Sequence, residues 1–268
     1  MSSPAGRPRS ARVLGTPRLH LRLTDSTNSR ARDLAVAGAP HGTIVTAAEQ
    51  SAGRGRQGRT WSAPAGSSLL LSVLLREPPP MLPLAAAVAV AEVVGEAALI
   101  KWPNDVVIEQ APVPGADLPA AEVDLPAAAT PAEATLAKVA GILVEGRLQE
   151  GWAVLGIGLN VAVRLEDLPA ELRPGGSRPA ATMGRAREEL DATLAELLDG
   201  LERRLAEPAE ATLEAWRTRD ALLGREVAWS GGSGVARGLD GEGRLIVEEP
   251  AGGRTALAAG EVHLRRVV

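Results

Sequence analysis

The stretch that most constrains this chain is residues 51–61, which read SAGRGRQGRTW. Three glycines lie within six positions, and arginines occupy positions between and after them. Glycine reaches backbone conformations with positive φ and lets a ligand approach the main chain closely, at an entropic cost when the site is empty. Arginine supplies a permanently charged, planar fork that matches carboxylates and phosphates. The sequence therefore predicts a loop that is mobile when free and closes over an anion.

The same three glycines fit G-x-G-x-x-G, the pattern typical of dinucleotide-binding folds. In those folds a helix begins at the end of the pattern, so that its N-terminus faces the pyrophosphate. Here the following residues, 61–66, read WSAPAG, which does not favour the start of a helix. The dinucleotide-binding interpretation is therefore excluded.

Composition narrows the class of protein. The net charge of −4 gives no general attraction for nucleic acid or an anionic membrane. Cysteine is absent, which excludes disulfides, and the three histidines are too far apart to predict a metal site. The start of the chain lacks the apolar segment of a secretory signal. The most apolar run, 81–100, contains two glutamates, as expected of a buried helix and not of a membrane span. A cytoplasmic protein is expected.

Lysine and asparagine are rare enough to be informative. Of the 29 Lys and Arg residues, only Lys101 and Lys138 are lysine, and asparagine occurs only at Asn28, Asn104 and Asn160. A chain so biased towards arginine retains these residues by chance or because no substitute serves. The five positions are therefore candidates for site residues.

The pattern of apolar residues predicts two domains after a disordered, Pro- and Arg-rich tail at 1–15. Residues 16–221 carry alternating and apolar runs, interrupted by a low-complexity insert at 111–137. Residues 222–268 carry five short alternating runs between Gly-rich turns, which predict a small β-barrel. Strands are predicted at 19–23, 43–48, 67–75, 106–108, 139–145 and 152–160, and helices at 29–37, 83–97, 185–206 and 209–220.

Three further stretches carry groups suited to chemistry. Residues 101–105 read KWPND, and Pro103 restrains the preceding residue to an extended conformation, so the segment predicts a rigid corner at a sheet edge. Lys138 precedes an apolar strand, and Asn160 ends the run GIGLN. The alternatives are a structural turn with a surface aspartate, a solvated lysine at a strand end, and a bulge with a turn-forming asparagine.

Taken together, these stretches resemble biotin protein ligases, also called biotin–acetyl-CoA-carboxylase ligases. The resemblance covers residues 19–165, and its five motifs are specific because they occur in order and contain all the rare lysines and asparagines. It implies an α+β catalytic domain with a mixed, largely antiparallel sheet, as in class II synthetases, and a small C-terminal SH3-like barrel. The motifs are DSTN at 25–28, Gln50 with GRGRQGRTW at 53–61, KWPND at 101–105, KVAGIL at 138–143 and GIGLN at 156–160.

The resemblance also implies an activity. Biotin and ATP, with Mg²⁺, would give biotinyl-5′-AMP and diphosphate, and the adenylate would then acylate one lysine of a biotin carboxyl carrier domain. Bringing a carboxylate to the α-phosphate joins two anions, so the site must supply fixed positive charge. No residue is assigned to the metal. The resemblance implies four catalytic residues, of which Asp105 would lie beside the incoming lysine as acceptor or base: Lys138, Arg54, Arg56 and Asp105. The residues implied to bind biotin are Ser26, Thr27, Asn28, Gln50, Gly53, Arg54, Gly55, Arg56 and Lys138. The residues implied to bind ATP or the adenylate are Arg54, Arg56, Trp61, Lys101, Asn104 and Asn160.

The chain departs from the family pattern in two places. Residues 111–137 stand where the family turns tightly back to the lysine. The motifs begin at Asp25, which leaves no room for the N-terminal helix-turn-helix of the repressor members, so a ligase without DNA binding is expected, as a monomer or weak homodimer. The alternatives are a lipoate–protein ligase, a non-catalytic vitamin- or carrier-binding protein and, last, a nucleic-acid-binding protein, for which three arginines without an aromatic platform make a poor groove.

Overall fold

The computed structural model describes residues 13–110, 135–258, 260 and 262–264. The predicted tail, up to residue 12, and most of the predicted insert, 111–134, lie outside the described residues. No helix in the described ranges is long and apolar enough to cross a membrane.

A seven-stranded mixed sheet forms the centre of the molecule, with strand order β1-β2-β3-β7-β6-β5-β4. Only β1 and β2 run parallel; every other neighbouring pair in this sheet is antiparallel. The expected α+β architecture with a mixed, largely antiparallel sheet is therefore confirmed. The strands are β1 Arg18–Thr24, β2 Ile44–Gln50, β3 Ser68–Arg76, β4 Ala98–Lys101, β5 Asp105–Gln110, β6 Thr135–Arg147 and β7 Trp152–Asn160.

The helices explain why the central strand β3 is buried along nearly its whole length. Helix α1, Thr27–Val36, connects the parallel strands β1 and β2, and its alanines pack with Leu74 on one face of the sheet. Helix α2, Leu82–Val94, is buried with Leu71 and Val73 on the other face. Strand β3 is thus covered on both sides. Helices α3, Leu190–Leu205, and α4, Ala209–Arg217, pack against α2.

Several predicted boundaries were wrong. Helix α1 begins two residues early, and α2 ends at Val94 because Gly95 adopts a φ of 117° before β4 starts. Helix α3 is preceded by a short 3-10 turn at Arg187–Glu189. Strand β6 begins at Thr135, so the last three residues of the predicted insert, 135–137, belong to the sheet. Thr135 pairs with Gln110, and the two strands that flank the insert are therefore joined at its base.

The C-terminal part forms a second sheet of five short antiparallel strands, close to the predicted positions. Its order is β11-β10-β9-β8-β12. Among the described residues the sheet is open, with β11 and β12 at its edges, and closure into a barrel stays a prediction, as does the domain boundary near residue 221. The strands are β8 Glu226–Trp229, β9 Gly232–Leu239, β10 Leu245–Glu248, β11 Arg254–Leu257 and β12 His263–Leu264.

The corner between β4 and β5 lies against this second sheet. The indole of Trp102 is 2% exposed, and its Nε1 donates to the carbonyl oxygen of Gly243 at 3.1 Å. Ile100 in β4 donates to Arg219 O at 2.7 Å and accepts from Ala221 N at 3.0 Å. The edge strand that carries the KWPND corner is therefore fixed by the segment that leads into the C-terminal sheet.

Candidate active site

The glycine–arginine loop, residues 53–60, folds back on itself above the sheet. Arg54 and Thr60 form an antiparallel bridge, and Gln57 at the tip adopts a φ of 54°. Gly53 lies so close to the returning strand that a Cβ atom there would stand 2.2 Å from Trp61 O. This glycine is therefore required by close backbone approach.

Beneath the loop, two glycines in neighbouring strands leave space for an aromatic ring. A Cβ atom on Gly158 would lie 2.5 Å from Trp61 Cε2, and one on Gly141 would lie 3.0 Å from Lys138 Nζ. The ammonium of Lys138 is 5.4 Å from the centre of the Trp61 ring, within range of a cation–π contact. The strand glycines thus admit the indole and the ammonium to the same surface.

A cavity of about 580 Å³ lies between the loop and the sheet and is open to solvent. Its lining consists of residues 52–60 with Leu143 and Glu145. A second pocket adjoins it and reaches the start of α1. The structure brings most of the predicted biotin-binding residues together in that second pocket. Among its lining residues are Ser26, Thr27, Asn28, Gln50, Arg54, Gly55, Trp61 and Lys138.

The floor of the pocket is a network of uncharged polar groups. Thr27 N donates to Gln50 Oε1 at 2.7 Å, which turns the amide nitrogen of Gln50 away from the helix. The hydroxyl of Ser72, buried in β3, lies 2.8 Å from Thr27 Oγ1 and donates to Asn28 Oδ1 at 2.6 Å. These contacts fix four polar side chains of the floor before any ligand arrives.

Asn28 also contacts a residue that sequence reasoning missed. Its Nδ2 donates to Glu145 Oε2 at 2.8 Å, while the other oxygen of Glu145 lies 3.3 Å from Arg54 Nη1 and 3.7 Å from Arg32 Nη1. Gly156 lies beneath the amide, since a Cβ atom there would be 2.2 Å from Asn28 Oδ1. The available signal was an acidic residue at the end of an otherwise apolar strand.

The KWPND corner supplies polar groups on the opposite side of the cavity. Lys138 Nζ lies 2.6 Å from Asp105 Oδ1. Arg56 donates to Asn104 Oδ1 at 3.1 Å, and Asn104 Nδ2 donates to Ile142 O at 2.9 Å. The corner therefore binds two of the predicted catalytic residues, Arg56 from the loop and Lys138 from β6.

Several cations lie around the carboxylate of Asp105. Burial lowers the pKa of Lys101, and repulsion by Lys138 and Arg59 lowers it further. Attraction by Asp105 acts in the opposite direction. Burial likewise lowers the pKa of Arg56, which still carries its charge at neutral pH. These cations make the cavity electropositive and suited to anionic groups.

Asn160 is the predicted site residue that the structure places apart from the ligand surface. Its side chain lies in the interior, where Nδ2 donates to Ala181 O at 3.0 Å and Oδ1 accepts from Ser68 Oγ at 3.2 Å. Only 6% of Asn160 is exposed. Its amide holds the end of β7 in place, and contact with an adenylate stays a prediction.

Comparison with known proteins decides the family. The sequence profile of the Biotin/lipoate A/B protein ligase family matches residues 20–161, more than half of the chain. The chain is 32% identical over 266 residues to the biotin--[acetyl-CoA-carboxylase] ligase of Mycobacterium tuberculosis, covering 90% of this chain and 87% of that protein. The chain belongs to the Biotin/lipoate A/B protein ligase family.

Solved members of this family share the fold. The biotin protein ligase from Aquifex aeolicus in complex with biotin and ATP superimposes with a TM-score of 0.68 at 26% identity, covering 94% of this chain and 100% of that chain. The Bifunctional ligase/repressor BirA of Bacillus subtilis is 33% identical over 173 residues, which span 60% of this chain but only 45% of that protein. The chain thus spans about half the length of that relative. The resemblance identified from the sequence is confirmed.

Proposed function

We propose that this chain is a biotin–protein ligase that makes biotinyl-5′-AMP from biotin and ATP and transfers biotin to a lysine of a carrier domain. The observation that carries the proposal is a single pocket that joins a floor of uncharged polar groups to Arg54 and Lys138. Biotin has an uncharged, hydrogen-bonding ureido ring at one end and a carboxylate at the other. The lining of the pocket offers groups that match both.

In the first step a carboxylate oxygen of biotin bonds to the α-phosphorus, and the bond from that phosphorus to the bridging oxygen breaks to release diphosphate. Two anions must come together, so the reaction needs cations that are already in place. Lys138, Arg54 and Arg56 border the cavity and would stabilise the negative charge that develops. Trp61, Lys101 and Asn104 would contact the adenylate.

In the second step the amine of the carrier lysine attacks the acyl carbon, and AMP leaves. The nitrogen then loses a proton, for which Asp105 would serve as hydrogen-bond acceptor. Because Asp105 also pairs with Lys138, the two steps would share one ion pair. The protein substrate would be the biotin carboxyl carrier domain of an acyl-CoA carboxylase, and the reaction would take place in the cytoplasm. The C-terminal sheet would close as an SH3-like barrel.

Mg²⁺ would accompany ATP, but the described residues include no group of three or more His, Asp or Glu side chains that could hold a metal ion. Mg²⁺ commonly binds through one or two carboxylates together with substrate phosphates. The described side chains do not form a dedicated cage. No step is therefore assigned to the metal.

The test measures diphosphate release on mixing the protein with biotin and ATP, followed by mass spectrometry of a carrier domain. We expect stoichiometric release without the carrier and a biotin mass increment on one carrier lysine with it. Lipoate in place of biotin distinguishes the two branches of the family. Release that depends on lipoate and not on biotin would overturn the proposal, and binding of biotin without release would indicate a non-catalytic vitamin-binding protein.

A further inference from the structure

Glu145 connects the floor of the pocket to the glycine–arginine loop. It lies near the end of β6, and 22% of its side chain is exposed. One carboxylate oxygen accepts from Asn28 Nδ2, and the other lies near Arg54 of the loop and Arg32 of α1. Neither of the two proposed reaction steps requires Glu145 to contact a substrate.

The carboxylate determines which way the Asn28 amide points. An ionised carboxylate has acceptors and no donor, so it pairs only with the NH₂ end of an asparagine. The Oδ1 end is then left for the hydroxyl hydrogen of Ser72, at 2.6 Å. With Glu145 and Ser72 on either side, the amide has one satisfied orientation, and its remaining donor and lone pair are available to a ligand.

The same carboxylate holds the loop from below. Arg54 bridges to Thr60 through the backbone, so a force on its side chain acts on both arms of the loop. The side chain of Arg54 is 44% exposed, and its Nη1 lies 3.3 Å from Glu145 Oε1. An ion pair at such a site is weak, and an anionic ligand that takes over Arg54 displaces it at little cost.

We infer that Glu145 is a positioning residue, which orients Asn28 for biotin and holds Arg54, and hence the empty loop, until an anionic ligand replaces it. The part that concerns biotin rests on the proposed function. The part that concerns the loop does not. The two effects can be separated because one substitution removes the charge and keeps the acceptor.

Glu145→Gln is the decisive variant. Its amide oxygen still accepts from Asn28, whereas its NH₂ group faces two guanidinium groups that can only donate. Hydrogen exchange of residues 53–60 in the ligand-free protein should accelerate about fivefold, which corresponds to about 1 kcal/mol. Biotin would no longer have to displace the Arg54–Glu145 pair, so its dissociation constant, measured by calorimetry, should stay the same or fall by up to about fivefold.

Glu145→Ala removes the acceptor as well. It should accelerate loop exchange to the same extent and in addition weaken biotin binding about tenfold, because the buried Asn28 amide loses its partner. Rescue of biotin affinity by Gln relative to Ala distinguishes orientation of Asn28 from a general structural role. Glu166→Gln is the matched control, since it removes a carboxylate paired with the exposed Arg164, away from the loop.

Two results would overturn the inference: loop exchange in Glu145→Gln equal to that in Glu166→Gln, or equal biotin affinity in the Gln and Ala variants. Failure of the wild-type protein to bind biotin would instead overturn the proposed function. In that case the exchange measurement without ligand still decides whether Glu145 holds the loop.

Discussion

The ammonium of Lys138 and the carboxylate of Asp105 form an ion pair of 2.6 Å across the neighbouring strands β6 and β5. The pair joins a residue expected to act in adenylation to one expected to act in acyl transfer. A compact cation is needed here, because Gly141 and Trp61 leave little space around Nζ.

We therefore expect Lys138→Arg to keep the fold but to slow adenylate formation by about a hundredfold, roughly 3 kcal/mol of transition-state stabilisation. Arginine is longer and planar, with a diffuse charge, and would not place a point charge between a biotin carboxylate and the α-phosphate. Single-turnover adenylation is the measurement, with Lys138→Ala expected to be no less impaired. A near wild-type rate for the arginine variant would show that Lys138 contributes only a positive charge at the end of a strand.

Residues 53–60 should become ordered when biotin and ATP are added. The glycines of the loop favour many conformations, and contacts between its arginines and an anion offset that entropy. Hydrogen exchange in this segment is expected to slow strongly on ligand addition. Unchanged exchange would show that the loop does not close over the product.

Residues 111–134 should be replaceable by a short Gly/Asn turn. Gln110 and Thr135 are already paired at the base of β5 and β6, so a tight turn can join the strands without moving them. Adenylation should stay within about threefold of wild type, under roughly 1 kcal/mol. Insoluble protein, or a loss of activity beyond about tenfold, would indicate that the segment packs on the site.

Gly156→Ala should weaken biotin binding about tenfold or more, about 1.4 kcal/mol. The added methyl group would meet Asn28 Oδ1 at 2.2 Å, and that side chain cannot yield without breaking its bonds to Ser72 and Glu145. Calorimetry with biotin is the measurement. Gly200→Ala, in α3, is the control, since the nearest heavy atom to its Cβ would be 3.9 Å away and the fold has space for it.

Asp220 should make stability depend on pH in a defined direction. Burial raises the pKa of this carboxyl above its ordinary value of 3.8, partly opposed by hydrogen bonds from Leu222 N and Leu223 N. The folded protein thus holds the proton more tightly, and the contribution to stability falls as pH rises through the raised pKa. The stability gained by Asp220→Asn, measured by urea unfolding, should be larger at pH 7 than at pH 4.

Much of the site could be predicted because its chemistry depends on residue types that the chain otherwise avoids. Lys138 and Asn28 stood out for their rarity, and the structure places both in one pocket. The glycines of the loop were expected to admit a ligand, which stays a prediction; the structure shows that Gly53 also admits the returning backbone at Trp61.

The remaining features depend on contacts between distant parts of the chain. Glu145 meets Asn28 only because the sheet order brings β6 near the start of α1. The direction of the Asn160 side chain is set by its bond to Ala181, which follows in a later segment, and its contact with an adenylate stays a prediction. The bond from Trp102 to Gly243 spans both sheets, and local sequence carries no information about it.

The two lysines have a consequence for chemical labelling. Both neighbour Asp105, Lys138 through an ion pair and Lys101 through strand pairing, and the chain has no other side-chain amine. Burial lowers the pKa of Lys101, against the attraction of Asp105. An amine-reactive reagent therefore modifies only the terminal amine and these two lysines, so the pattern of labelling reports on the surroundings of Asp105.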